Sequence, residues 1–201
     1  IWSKNFFKKK SVFIYNASQP NFIYRNFKKN KKPILISVEG SIDSAFKACN
    51  LINSISKNYD YEIYGKVSKD LKKQFSDKKN ITFFGQVSRQ NIKKILKKNK
   101  KYIFISLEMF PACPNSVIEA INHGIPVIGY NQGSMRELIK DKHGKLLDID
   151  NNLKYNRNHL LRAIAEINKN YDKYNKALKI IDNKFKLKYM LEKYEIEINK
   201  T

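Results

Sequence analysis

The sequence predicts an α/β fold: a doubly wound parallel sheet of about six strands flanked by helices, with further helices at the C-terminal end. Three observations carry that prediction. Short apolar runs alternate with stretches of helical periodicity from Ile34 to Leu147. The runs are apolar throughout rather than on alternate residues, as in strands covered on both faces. Glycines punctuate the chain toward their carboxyl ends, at Gly40, Gly65, Gly85 and Gly133.

Each element follows from its own residues. ILISVE (34–39) is apolar and stops at a glycine, which predicts a buried strand. AFKACNLINSI (45–55) places Phe46, Cys49, Ile52 and Ile55 at helical spacing. YEIYG (61–65) is the second strand, and Leu71 and Phe75 mark a short helix after it. ITFFG (81–85) is the third. Ser88 then caps a helix with Ile92, Ile95 and Leu96 on one face and lysines on the other. YIFIS (102–106) is the fourth strand. Pro114 suits the first turn of the next helix, and Gly124 suits its left-handed stop. IPVIG (125–129) is the fifth strand, Met135–Ile139 opens another helix, and KLL (145–147) is a short sixth strand. Beyond Asn151 three helical stripes follow: Leu160, Ala163, Ile164 and Ile167; Tyr174, Leu178, Ile181 and Phe185; Met190, Leu191, Tyr194 and Ile198.

Residues 1–16 hold Trp2, Phe6, Phe7 and the strand-like VFIYN, yet no helix follows at once. They read as the remnant of a preceding domain. Residues 17–32 read as a linker, 33–182 as the sheet domain, and 183–201 as a closing helix that packs back toward the preceding domain.

Composition narrows the function. A chain of 201 residues suits one α/β domain with or without a piece of another. No stretch approaches the roughly 18 apolar residues of a membrane helix, and Ile1–Lys10 lacks the layout of a signal peptide. The net charge of +22 raises the question of nucleic-acid binding. Nearly all of it is lysine, however; arginine stands only at Arg25, Arg89, Arg136, Arg157 and Arg162. The lysines are spread along the chain, and Lys, Asn, Ile, Tyr and Phe abound together, as AT-rich codon usage produces. A base reader favours arginine, whose fork fits guanine and phosphate, so no nucleic-acid partner is expected. The patches Lys8–Lys10, Lys28–Lys32 and Lys93–Lys101 suit peripheral attraction to an anionic membrane face. Cys49 and Cys113 have no CxxC partner, and His123, His143 and His159 lack metal-ligand spacing. No disulfide framework and no metal are therefore expected, which fits the cytoplasm.

The densest signal runs from Cys113 to Ile139, CPNSVIEAINHGIPVIGYNQGSMRELI. It places Glu119 one turn into a helix at the carboxyl end of the sheet, where ligands bind in such folds. A carboxylate there can accept two vicinal sugar hydroxyls. Asn115, Ser116 and their backbone N–H groups, at the same helix start, can hold phosphate. The combination points to a nucleotide-linked sugar.

These residues also resemble a family. Pro114–Asn115, Glu119–Ala120, Gly124–Val127 and Gly133–Glu137, in that order, are similar to the donor-binding half of GT-B glycosyltransferases, in particular the large family four group of retaining enzymes. ITFFGQVSRQNIKKIL, with Gly85 and Val87, resembles that family's strand, glycine, valine and helix. SVFIYNAS resembles the end of its N-terminal domain, and FKLKYMLEKYEIEI its closing helix. The resemblance implies two facing Rossmann-like domains, of which this chain is the C-terminal one. It implies a sugar transferred with retention from a nucleotide-sugar to a glycan or lipid-linked acceptor, in surface polysaccharide or lipopolysaccharide synthesis, without a metal or other cofactor. It implies inactivity of the fragment without the missing N-terminal domain.

The implied contacts map unevenly. Glu119 matches the second Glu of the family's Glu-x7-Glu motif, the ribose acceptor. The first Glu, which holds the donor sugar, corresponds to Pro111; Glu108, three residues earlier, is the substitute carboxylate and the candidate catalytic residue. Gly40 matches a family glycine followed by Arg, but Ser41 stands in the Arg position. Lys47–Ala48 matches a Lys-Gly pair after a one-residue insertion, which makes Lys47 the diphosphate cation. Pro114, Gly85, Val87 and Gly133 complete the donor set. Two other classes stay open: a non-catalytic nucleotide-binding or docking remnant, since Pro111 and Ser41 break two motifs, and, less favoured, a basic nucleic-acid binder.

Overall fold

The computed structural model describes residues 14–19, 21–28, 31–41, 58–106, 108, 111–148, 153–180 and 185–199. Its sheet comprises β1 (Ile34–Ser41), β2 (Tyr61–Lys66), β3 (Ile81–Gly85), β4 (Tyr102–Ser106), β5 (Val127–Tyr130) and β6 (Gly144–Leu147). All strand pairs are parallel, in the order β3-β2-β1-β4-β5-β6. The expected six-stranded, doubly wound parallel sheet is therefore present. Between them run α1 (Lys69–Gln74), α2 (Arg89–Leu96), α3 (Asn115–Asn122) and α4 (Met135–Leu138), and then α5 (Leu153–Lys169), α6 (Tyr171–Ala177) and α7 (Leu187–Ile198). The expected helix at 45–55, with Lys47 and Cys49, lies outside the described residues, as do Ile1–Phe13.

Each face of the sheet buries its own cluster. On one face Leu35, Ile63, Ile103, Ile105 and Ile128 meet Leu71 of α1 and Leu160, Ile164 and Ile167 of α5. On the other, Ile36, Phe104 and Val127 meet Ile92 and Leu96 of α2, Val117, Ile118 and Ile121 of α3, and Met135 and Leu138 of α4. Burying one such aliphatic side chain stabilises by roughly 1.5–3 kcal/mol. That is why runs without alternation fold here: both faces of β4 are covered, and all five of its residues are buried.

Strand order reverses between β1 and β4, so crossovers leave these two neighbours in opposite directions. In doubly wound sheets ligands bind at the carboxyl ends of the strands beside such a switch point. α3 begins there, after the loop that leaves β4 and runs through Glu108 and Pro111.

Several boundaries differ from expectation: β5 starts at Val127 rather than Ile125 and runs on to Tyr130, and β2 and β6 are each one residue longer. β1 runs on through Gly40 to Ser41, with a register shift against β2 between Val38 and Ser41, so Gly40 belongs to the strand's irregular end rather than to a turn. Gly65 lies within β2, at φ 146°. Pro114 is the N-cap of α3, not a residue of its first turn; its φ of −66° already suits helix entry. Phe185 lies outside the helix that carries Tyr174, although it is buried as the periodicity required.

The described residues 21–28, ahead of β1, are irregular but tightly held. Arg25 is completely buried, and its guanidinium donates to the carbonyl oxygens of Leu96, at the end of α2, and of His123, the C-cap of α3. Its backbone N–H donates to Asn175 Oδ1 at 2.9 Å. Asn175 Nδ2 in turn donates to Ile23 O at 3.0 Å and Gly124 O at 2.6 Å. A cation at two helix C-termini complements both dipoles. α7, in contrast, buries none of its residues, and Leu191, Tyr194, Ile196 and Ile198 are exposed.

Candidate donor site

The site is built where β3, β4 and β5 end. Gly85 closes β3 with φ 70° and open space around its missing Cβ, so the glycine serves the backbone bend rather than a close contact. Val87 follows, half-buried against the α2–α3 cluster. The Ser88 side chain accepts the N–H of Asn91 at 3.3 Å and starts α2, as its sequence position predicts. Arg89 is therefore the first helical residue, and its side chain reaches α3.

Glu119 is the partner that Arg89 meets. The Arg89 Nε–H donates to Glu119 Oε1 at 2.8 Å. The carboxylate side chain is only 7% exposed, whereas the arginine is 63% exposed. Glu119 thus does not sit on the solvated face of its helix. It is a buried acceptor with one oxygen engaged, and Oε2 has no hydrogen-bond partner among the described residues. A carboxylate placed this way needs compensation for lost solvent, and one arginine contact supplies part of it.

The start of α3 is set by a pinned loop. Cys113 has φ 84°, the one described non-glycine residue at positive φ. Its N–H donates to Ser134 Oγ at 2.7 Å, and its carbonyl accepts from Asn16 Nδ2 at 2.9 Å. Ser134 also donates to Pro111 O, from Oγ at 3.1 Å and from its backbone N at 3.2 Å. At Gly133, φ 50°, a Cβ would stand 2.5 Å from Pro111 O. The two loops therefore close on each other, and only glycine fits at the crossing. A non-glycine residue held at such a φ costs about 1–3 kcal/mol, which the surrounding bonds must offset.

Of the residues expected to bind a donor, Pro114, Asn115, Ser116 and Glu119 come together at the α3 start, with Gly133 closing the loop beneath them and Gly85 and Val87 on the β3–α2 side. Asn115 is exposed and Ser116 half-buried. The first N–H groups of α3 have no acceptor inside the helix. Glu108 is exposed. Lys47 falls outside the described residues. The parts that three residues play here escaped the sequence reading. Arg89 looked like one more basic residue in a lysine-rich helix, and its only signal was its place directly after a capping serine. Ser134 and Pro111 act through a hydroxyl and a carbonyl that no side-chain pattern announces.

Behind the site, His123 is buried and its ring Nδ1 pairs with Glu119 O at 2.7 Å. Burial pushes its pKa below the ordinary 6.5, and the Arg25 cation pushes the same way against the Glu119 carbonyl. The imidazole is therefore held neutral at the end of the helix that carries the carboxylate. Among the described residues, no group of three His, Cys, Asp or Glu side chains is placed to hold a metal ion.

A six-stranded parallel sheet whose order reverses between β1 and β4, with a buried carboxylate near one helix start, defines a Rossmann-like half of a GT-B fold. The sequence profile of the family described as glycosyl transferases group 1 matches residues 23–176, and the chain belongs to that family. Several solved structures share its fold. HepE of Anabaena, solved with UDP and glucose, has a TM-score of 0.71 at 15% identity, over 94% of this chain and 56% of that one. TarM of S. aureus, a point mutant solved with Fondaparinux, alpha-GlcNAc-glycerol and UDP, has a TM-score of 0.65 at 21% identity, over 94% and 40%. The pneumococcal O-GlcNAc transferase GtfA, solved with UDP and GlcNAc, has a TM-score of 0.60 at 15% identity, over 93% and 38%. The chain thus spans between about two-fifths and just over half of the length of these proteins. No curated protein matches it in sequence.

Proposed function

We propose that this chain is the donor-binding, C-terminal half of a retaining glycosyltransferase that moves a sugar from a nucleotide-sugar to a glycan or lipid-linked acceptor. The observation that carries the reading is Glu119, a buried carboxylate one turn into α3 at the carboxyl end of the sheet. Its Oε2 accepts ribose hydroxyls. The α3 amide groups at Asn115 and Ser116 receive the diphosphate, whose charge grows as the glycosidic bond breaks. Lys47 supplies a cation, and Gly40, Gly85, Val87, Pro114 and Gly133 shape the walls. No metal is needed when a helix terminus and a lysine carry that charge. Two of the fold relatives were solved with UDP and a sugar, which supports UDP as the first nucleotide to try.

The donor sugar and the acceptor lie toward the preceding domain. Glu108 is the carboxylate nearest in sequence to the absent first Glu, and its exposure leaves it accessible to a sugar. The apolar side chains exposed on α7 suit packing against the preceding domain. No described helix is long and apolar enough to cross a membrane. Lys93, Lys94, Lys97 and Lys98 on and after α2 suit a peripheral place at the anionic inner face of the cell membrane.

A second reading, a nucleotide-binding remnant without transfer activity, is favoured by Pro111. This residue stands where a sugar-binding Glu would, and its carbonyl is committed to Ser134. The test is a transfer assay on the protein carrying its preceding domain, with UDP-sugars and lipid-linked acceptors, and the product anomer read by NMR. Transfer with the donor's anomeric configuration kept supports the enzyme. Inversion refutes retention, and nucleotide binding without transfer or hydrolysis supports the remnant.

A further inference from the structure

Arg89 faces the candidate site from the exposed start of α2. Its Nε–H holds Glu119 Oε1 at 2.8 Å. Its terminal nitrogens have no partner among the described residues, and the side chain is 63% exposed. An exposed ion pair alone stabilises little. Here one partner is buried, so the pair serves the carboxylate rather than the fold as a whole. With Oε1 held, the carboxylate plane is fixed and Oε2 is the oxygen presented to a ligand. Long side chains buried beside an acceptor lose affinity if they must be ordered on binding, and a preset rotamer avoids that cost.

We propose that Arg89 is the positioning residue of the ribose clamp: it fixes the Glu119 carboxylate so that discrimination for ribose hydroxyls is built in before the nucleotide arrives. The inference rests on Glu119 being the ribose acceptor. It differs from a phosphate-binding role, in which the guanidinium would act on every nucleotide alike whatever its sugar.

The test compares UDP with 2′-deoxy-UDP and 3′-deoxy-UDP by calorimetric titration. The proteins are the wild type, Arg89→Met, Arg89→Lys and Glu119→Ala, each checked for an unchanged circular dichroism spectrum. Arg89→Met should weaken UDP by about tenfold, the order of one charge-assisted contact, and deoxy-UDP far less, so that the ribose preference collapses. Arg89→Lys should restore part of that preference through a single N–H donor. Equal weakening of all three nucleotides in Arg89→Met, or no weakening, overturns the proposal. If the wild type binds but Glu119→Ala binds as tightly, the ribose-clamp reading itself fails. If Glu119→Ala loses the ribose preference while Arg89→Met keeps it, only the role of Arg89 fails.

Discussion

The guanidinium of Arg25 donates to the carbonyl oxygen of His123, joining the segment before the sheet to the end of the helix that carries Glu119. The same side chain reaches Leu96 O at the end of α2. One residue thus fixes the C-termini of both helices whose N-termini face the site. Burial lowers its pKa, but an arginine remains cationic at any physiological pH. Desolvating the cation is costly, and the carbonyls and helix dipoles offset that cost.

Arg25→Met should therefore destabilise the chain although it keeps much of the side-chain length. It strands two buried carbonyl groups at helix ends, each a loss of about 1–3 kcal/mol. Urea denaturation should show a fall of about 2–6 kcal/mol with an unchanged m-value. A loss below about 0.5 kcal/mol would mean that water or a neighbouring side chain replaces the guanidinium.

Gly133→Ala tests the loop crossing. The new Cβ would meet Pro111 O at 2.5 Å, at a φ of 50°. Backbone must yield, because the obstacle is a carbonyl rather than a flexible side chain. We expect about 1–3 kcal/mol of destabilisation and, because the Cys113 loop sets the start of α3, a further loss of nucleotide affinity. Cys113→Gly should keep that affinity, since glycine adopts φ 84° without strain. Intact binding in Gly133→Ala would show that the loop does not set the helix start.

Stability should depend on pH through His123. Its folded-state pKa is depressed, chiefly by burial, so the native state binds fewer protons than the unfolded chain. The stabilisation is complete above the ordinary value of 6.5 and is lost as pH falls from there toward the folded value. Denaturation midpoints at about pH 7.5 and about pH 5.5 should differ, with the lower pH less stable. His123→Gln should shrink that difference; an unchanged slope would assign it to other groups.

The sheet was legible because parallel strands covered on both faces leave a plain signature. YIFIS at β4 and VIGY at β5 are apolar without alternation and are buried throughout. Helix starts were legible where a serine caps, as at Ser88, and the left-handed stop at Gly124 has φ 74°. The site was half legible. Glu119 stood out by its place in an ordered motif, but its arginine partner lies thirty residues earlier across a crossover, and no local spacing encodes that distance. Cys113 gave no warning of its positive φ, because the conformation is imposed by Ser134 and Asn16 rather than chosen by the residue. Arg25 sat among lysines in an apparent linker, where charge suggests solvent; only the two helix ends around it explain its burial.

The most direct test of the central claim is a calorimetric titration of the chain with UDP, GDP, ADP and CMP, repeated with Glu119→Ala. Selective binding of one nucleotide, weakened about tenfold or more in the variant, is the result the buried ribose clamp predicts. Nucleotide binding with the same affinity in Glu119→Ala would contradict it.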